Sequence, residues 1–174
     1  MPLTRADLLA RFADLGIETT THDHPAVFTV AESRAIKHAI AGGHSKNLLL
    51  KDKKGRVFLV TAEADAAIDL KAISEKIGAS GRVTFGKPEL LMDLLGVIPG
   101  AVTPFGVAND VERVVTMVID APMMEHEILN FHPLENTATT SIRREDLVRF
   151  LTETGHPPLI VTVSNGKLDL DAPA

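Results

Sequence analysis

Two glycines and an apolar run with a lysine at their junction, Gly42-Gly43-His44-Ser45-Lys46-Asn47-Leu48-Leu49-Leu50-Lys51, constrain this chain more than any other stretch. The glycines end a loop and the leucines open a buried strand, so Lys46 stands between mobile and rigid backbone. A lysine held in this way can aim its ammonium into a pocket, where it meets a phosphate, a carboxylate or the oxyanion of a breaking ester. The competing reading is a solvated strand end, which is what most strand-flanking lysines are. The rest of the chain has to decide between them.

The chain has 174 residues, 45% of them apolar and 24% charged, which suits one domain with a continuous core. We expect that domain over residues 1–164 and a tail over 165–174 that adds a short strand or frays. There is no cysteine, which removes disulfides, thiolate catalysis and cysteine zinc sites and fits a reducing cytoplasm. The first residues lack a basic-then-apolar leader pattern and no apolar run reaches membrane-spanning length, so the expectation is a cytoplasmic protein without a membrane partner. A net charge of −5 argues against broad electrostatic coating of nucleic acid, yet leaves room for a local basic patch holding one end of an RNA.

Thr4 and Asp7 resemble a capping box, and Leu8, Leu9, Phe12 and Leu15 follow at helical spacing until Gly16. Glu18 to Thr21 is β-prone, His22-Asp23-His24-Pro25 is turn-rich, and a helix is expected from Ala31 to about Ala39. Asn47 to Leu50 and Val57 to Thr61 read as strands joined by a charged hairpin loop, followed by a helix over Asp69 to Ile77 and a short strand over Arg82 to Phe85. Pro88 starts a further helix. Val114 to Ile119, Ile128 to Phe131, Thr137 to Ile142 and Pro158 to Val163 read as strands, with a last helix over Glu145 to Thr154. Strands and helices mix irregularly with hairpin-length connections. That pattern predicts an α+β single domain, a mixed sheet or open barrel flanked by helices, rather than a doubly wound parallel sheet.

No phosphate-binding glycine loop, dinucleotide fingerprint or nucleophile elbow occurs. His22 and His24 offer only a weak metal pair with no helical His-x-x-x-His and no clear carboxylate partner, so neither a metal nor a cofactor is expected. In Pro99-Gly100-Ala101-Val102-Thr103-Pro104-Phe105-Gly106 two prolines fix the backbone while two glycines let it turn and approach a ligand. The loop reads either as an anion-binding backbone or as a rigid crossover. His132 leaves a strand ahead of Pro133, placed as a structural cap or as a donor to a substrate carbonyl.

Four segments in order, His24 to Val30, Gly42 to Leu48, Val102 to Gly106 and Phe131 to Thr137, resemble the YbaK/prolyl-tRNA-synthetase-associated editing domains over residues 5 to 163. The Phe131-to-Thr137 motif and the closing Gly155-His156-Pro157-Pro158-Leu159-Ile160-Val161 resemble the free-standing alanyl-tRNA(Pro) deacylases more than the cysteinyl-tRNA(Pro) branch. The resemblance implies a trans-editing hydrolase that removes alanine wrongly attached to proline tRNA. A proline pocket excludes a smaller amino acid by only about 1–3 kcal/mol, so a second site is needed. Its partners would be mischarged tRNA(Pro) and prolyl-tRNA synthetase.

By the same resemblance Lys46 is the essential lysine and Gly100 to Pro104 the Gly-x-x-x-Pro loop, jointly holding the ester and its oxyanion. Lys46 would act as a charged clamp on the carbonyl oxygen or the terminal phosphate, since a neutral general base needs strong desolvation. Asn47 and His132 would position substrate. Phe28, Thr29 and Val30, with Ala101, Val102 and Thr103, would line the amino-acid pocket, and Lys51 and Arg82 would meet the tRNA acceptor end. Arg143, a poor N-cap, stands with Arg144 where relatives tend to place a Ser-Pro pair, and the two arginines offer a further RNA contact. Two alternatives stay open: a deacylase of the same fold acting on Ser-, Thr- or Cys-tRNA, and a noncatalytic aminoacyl-tRNA or synthetase-binding module.

Overall fold

In the computed structural model, residues 1–26 and 30–167 are described, in the chain order α1 (Arg5–Asp14), β1 (Thr19–Asp23), α2 (Val30–Ala39), β2 (Gly43–Lys51), β3 (Val57–Glu63), β4 (Ala66–Ile68), α3 (Ile73–Ile77), β5 (Thr84–Phe85), α4 (Pro88–Leu95), β6 (Val115–Asp120), β7 (Ile128–Phe131), β8 (Ala138–Arg143), α5 (Arg144–Glu153), β9 (Leu159–Val161) and β10 (Ser164–Lys167). Short 3-10 helices span Pro104–Asn109 and Ala121–Glu125. The main sheet runs β1-β8-β7-β2-β3-β6-β9, with β5 on the edge of β2, while β4 and β10 form a separate pair. Pairing is parallel at β2–β7, β3–β6 and β6–β9 and antiparallel elsewhere in the sheet, so the mixed α+β architecture holds.

Alternation along the central strands explains the layers. Leu49, Val57, Leu59, Met117 and Ile119 face one cluster with Leu8, Phe12, Phe105, Phe131 and Phe150. Leu50, Phe58, Val60 and Val118 face a second with Ile73, Ile77 and Val163. Strands covered on both faces lose the polar-out pattern and read as continuous apolar runs, as β3 does. In the first cluster Phe12, Phe105 and Phe150 meet edge-on at centroid distances of 5.0–5.8 Å, a geometry that adds attraction between ring edge and face.

The expected capping box is present: Asp7 N–H donates to Thr4 Oγ1 at 3.2 Å and Thr4 N–H to Asp7 Oδ2 at 2.9 Å. The helix expected over Asp69 to Ile77 is shorter, Ile73–Ile77. Asp69 accepts Lys71 N–H on its side chain at 2.9 Å and Ala72 and Ile73 N–H on its carbonyl, and that local turn replaces the first helical turn. The strand expected over Arg82 to Phe85 shrinks to Thr84–Phe85, and β4 was not anticipated. β2 begins earlier than expected, at Gly43. A Cβ there would lie 2.6 Å from the His126 ring, so only glycine lets this backbone approach. Arg143 is the N-cap of α5 and makes no capping bond; its Nε donates instead to Asp146 Oδ2 at 3.1 Å.

Candidate active site

One edge of β2 is only partly paired. Gly43 and His44 run parallel to Leu129 and Asn130 of β7, and Leu50 and Lys51 pair with β5. Between them, among the described residues, Ser45 to Leu48 have no strand on that side. The strands diverge where β7 ends, and ligands of open sheets favour such crevices beyond strand carboxyl ends. A cavity of about 250 Å³ opens there. Ser45, Lys46 and Asn47 line one side, Asn130, Phe131 and His132 the other, Gly100 and Val102 approach from the crossover loop, and Ser33, Ile36 and Lys37 of α2 complete the wall.

Lys46, Asn47 and Asn130 are each tied back by hydrogen bonds to the surrounding structure. Lys46 Nζ donates to the Ala66 carbonyl. Asn47 Oδ1 accepts from Thr61 Oγ1 at 2.6 Å and its Nδ2 donates to Ser45 Oγ at 3.3 Å, which fixes the amide orientation and, among the described residues, leaves one N–H free to serve a ligand. Asn130 spends its whole amide on structure: Nδ2 donates to Ala41 and Gly43 carbonyls at 3.1 and 3.2 Å, and Oδ1 accepts from Ser141 Oγ at 2.5 Å. It thereby pins the glycine loop that precedes Lys46.

Hydrogen bonding also sets the His132 tautomer. Its Nδ1 lies 2.9 Å from the Ala138 carbonyl, which can only accept, so Nδ1 carries the proton. Burial, followed by the nearby His24, pushes His132 below the ordinary histidine value and keeps the ring neutral. Nε2 therefore retains a lone pair. His44 behaves alike: its Nε2 donates to the Ile40 carbonyl at 2.8 Å and burial lowers its pKa. For Lys46 desolvation is the largest influence and moves the amine below the usual lysine value; Asp65 opposes that shift and Lys37 adds to it.

The segment bearing His132 is strained and clamped. Leu134 has φ of 70°, a left-handed conformation costing a bulky residue about 1–3 kcal/mol, and its side chain is buried against the core. Arg5 Nη1 ties the segment down, donating to Glu135 Oε1 at 3.0 Å and to Asp23 Oδ1 at 2.6 Å. Asp23 precedes His24, whose Nε2 lies 2.8 Å from Thr139 Oγ1 and whose ring is 6.4 Å from that of His132.

Of the sequence-derived site residues, Lys46, Asn47, Gly100, Val102 and His132 meet around this cavity. Gly100, at φ of 90°, takes a backbone that favours glycine. Ala101 and Thr103 are fully buried and Pro104 opens the 3-10 turn in the core, so these three support the loop from behind. Phe28 and Thr29, and the Val30 side chain, lie outside the described residues. Lys51 and Arg82 border neither this cavity nor each other's hydrogen-bond network; Lys51 is five residues along β2 from Lys46, about 17 Å away. His22 and His24 line different cavities, which removes their pairing as metal ligands. The sequence reading missed Ser33, Ile36, Lys37, His44 and Asn130. Asn130 alone carried a signal, as a polar residue inside the apolar strand Ile128–Phe131.

Comparison with known proteins shows the family and the fold. The aminoacyl-tRNA editing domain family matches residues 24–150. The prolyl-tRNA synthetase associated domain-containing protein 1 of Danio rerio is 42% identical over 150 residues, 85% of this chain and 81% of that relative. The prolyl-tRNA editing protein ProX of Acetoanaerobium sticklandii is 35% identical over 150 residues, 86% and 91% of the two chains. A solved structure described as a candidate trans-editing enzyme for prolyl tRNA synthetase shares the fold with a TM-score of 0.66 at 17% identity, over 93% of this chain and 99% of that one. Among the described residues no helix is long and apolar enough to cross a membrane.

Proposed function

The chain belongs to the aminoacyl-tRNA editing domain family, and from that premise we propose that it hydrolyses the ester of alanine mischarged onto tRNA(Pro), with Lys46 as the positive clamp. The observation that carries this reading is the convergence, in one small cavity, of a lysine ammonium, a free amide N–H of Asn47 and a neutral imidazole whose Nε2 can accept a proton.

Lys46 and Asn47 donate to the ester carbonyl oxygen and stabilise the negative charge that grows there. A water held against His132 Nε2 attacks the carbonyl carbon, giving its proton to the imidazole or, through a vicinal ribose hydroxyl, to the leaving oxygen. The tetrahedral adduct collapses, the carbon–ribose oxygen bond breaks, and the ribose hydroxyl regains a proton. An aminoacyl ester is activated enough that no serine or cysteine nucleophile is needed. Ile36, Val102 and Phe131 give the cavity its apolar wall and limit what enters.

A panel of alanyl, seryl, cysteinyl and threonyl esters of tRNA(Pro) tests the assignment. Alanine should be released fastest. Faster release of serine, cysteine or threonine would move the substrate while keeping the chemistry.

A further inference from the structure

A second cavity of about 400 Å³ adjoins the first, sharing Lys37 and His44 with it. Arg34, Lys37 and His38, spaced i, i+3 and i+4 on α2, present one helical face to it. Its opposite side holds Glu63, which is hydrogen-bonded to His126, and Asp65, which acts on Lys46. The carboxylates thus stand on the β3 side, and an anion in this cavity is drawn to the α2 side.

Resting on the deacylase reading above, we infer that this second cavity takes the RNA strand leaving the ester site, and that Lys37 binds the phosphate linking the last two nucleotides. An aminoacyl ester seated between Lys46 and His132 puts its ribose at the cavity mouth, and the next phosphate lies one nucleotide back along the strand. Lys37 borders both cavities, and among the described residues it has no hydrogen-bond or ion-pair partner, so its ammonium is available. Lys46, by contrast, is anchored on the Ala66 carbonyl. The two lysines divide the work: Lys46 serves the carbonyl oxygen and Lys37 the phosphate.

Three alanyl esters separate these roles: full-length tRNA(Pro), the dinucleotide cytidylyl-adenosine with one phosphate, and adenosine with none. Wild type, Lys37→Ala, Lys37→Arg and Lys46→Ala are compared by kcat/KM, with helix content monitored by circular dichroism. Lys37→Ala should lose roughly tenfold or more on tRNA and dinucleotide beyond whatever it loses on the nucleoside, while Lys37→Arg retains most activity. Lys46→Ala should lose activity on all three. A Lys37→Ala penalty equal on nucleoside and dinucleotide, or absent from both, would overturn the phosphate assignment alone. No turnover of any ester by wild type would remove the deacylase reading, and this inference with it.

Discussion

The two ends of β2 carry the same residue type and opposite consequences. At the Lys51 end the turn to β3 is closed around Asp52, which accepts from the N–H groups of Lys54, Arg56 and Ser80, each at 2.9 Å, and from Arg56 Nε at 3.0 Å. Despite the upward push of burial, these donors hold the Asp52 carboxyl down at about 2. Both carboxylate oxygens of Asp52 are taken up in holding the turn. At the Lys46 end, among the described residues, Asn47 keeps a free N–H, His132 a free lone pair, and Lys46 is partly desolvated beside a cavity. On the proposed reading, hydrogen-bonding capacity left over at a fixed position suits one end to chemistry and the other to structure.

The sharpest way to break this contrast is Lys46→Ala, which should cut kcat/KM by about 10²–10³-fold, the usual loss when an oxyanion donor is removed, while leaving the melting temperature near that of wild type. A folded variant at near wild-type rate would put the chemistry elsewhere. His132→Asn comes next, with an expected loss of about 10²-fold in kcat. The acid limb of the wild-type pH profile should fall below 6.5, because burial lowers His132 and its Nε2 stays unprotonated there. An acid limb above 6.5 would contradict the neutral-imidazole role.

At the other end the effects should be structural. Asp52→Asn removes the ion pair with Arg56 and should lower the melting temperature by several degrees with turnover unchanged, measured by thermal denaturation and by deacylation of the same sample. Since the folded Asp52 sits below its unfolded value of about 3.9, its contribution is complete above that pH and is lost as pH falls through about 2. His132 and His44, also lowered, contribute stability that is present above about 6.5 and declines as pH drops through their folded values. The smallest expected effects belong to Lys51→Ala and Arg82→Ala. If these side chains contact the acceptor stem, each should flatten the log–log salt dependence of tRNA binding by about 0.9 per phosphate. Unaltered slopes would leave them as solvated charges, with Arg143 and Arg144 the next candidates.

Local signals in the sequence reached part of this. Lys46 and Asn47 follow a glycine pair, His132 precedes a proline, and Gly100 sits in a proline-bounded loop, so each announces an unusual backbone. Ala101 and Thr103 are fully buried while Gly100 and Val102 border the cavity, a division that the proline-bounded sequence did not announce. The α2 wall could not be read, because Ser33, Ile36 and Lys37 look like one stripe of an ordinary amphipathic helix until the sheet places them. Nor could the crevice itself. It exists because β2 pairs in parallel with β7, a contact such as Ser45 Oγ to the Asn130 carbonyl at 3.0 Å spanning 85 residues, and then diverges from it.

The central claim is that the Lys46 end of β2 is a place where an aminoacyl ester is broken. It is tested most directly by single-turnover release of amino acid from Ala-tRNA(Pro) and Pro-tRNA(Pro), by wild type and Lys46→Ala side by side. The account predicts that wild type discharges alanine and leaves proline, and that the variant discharges neither. Tight binding of Ala-tRNA(Pro) by wild type with the ester left intact would contradict it and make the protein a binding module.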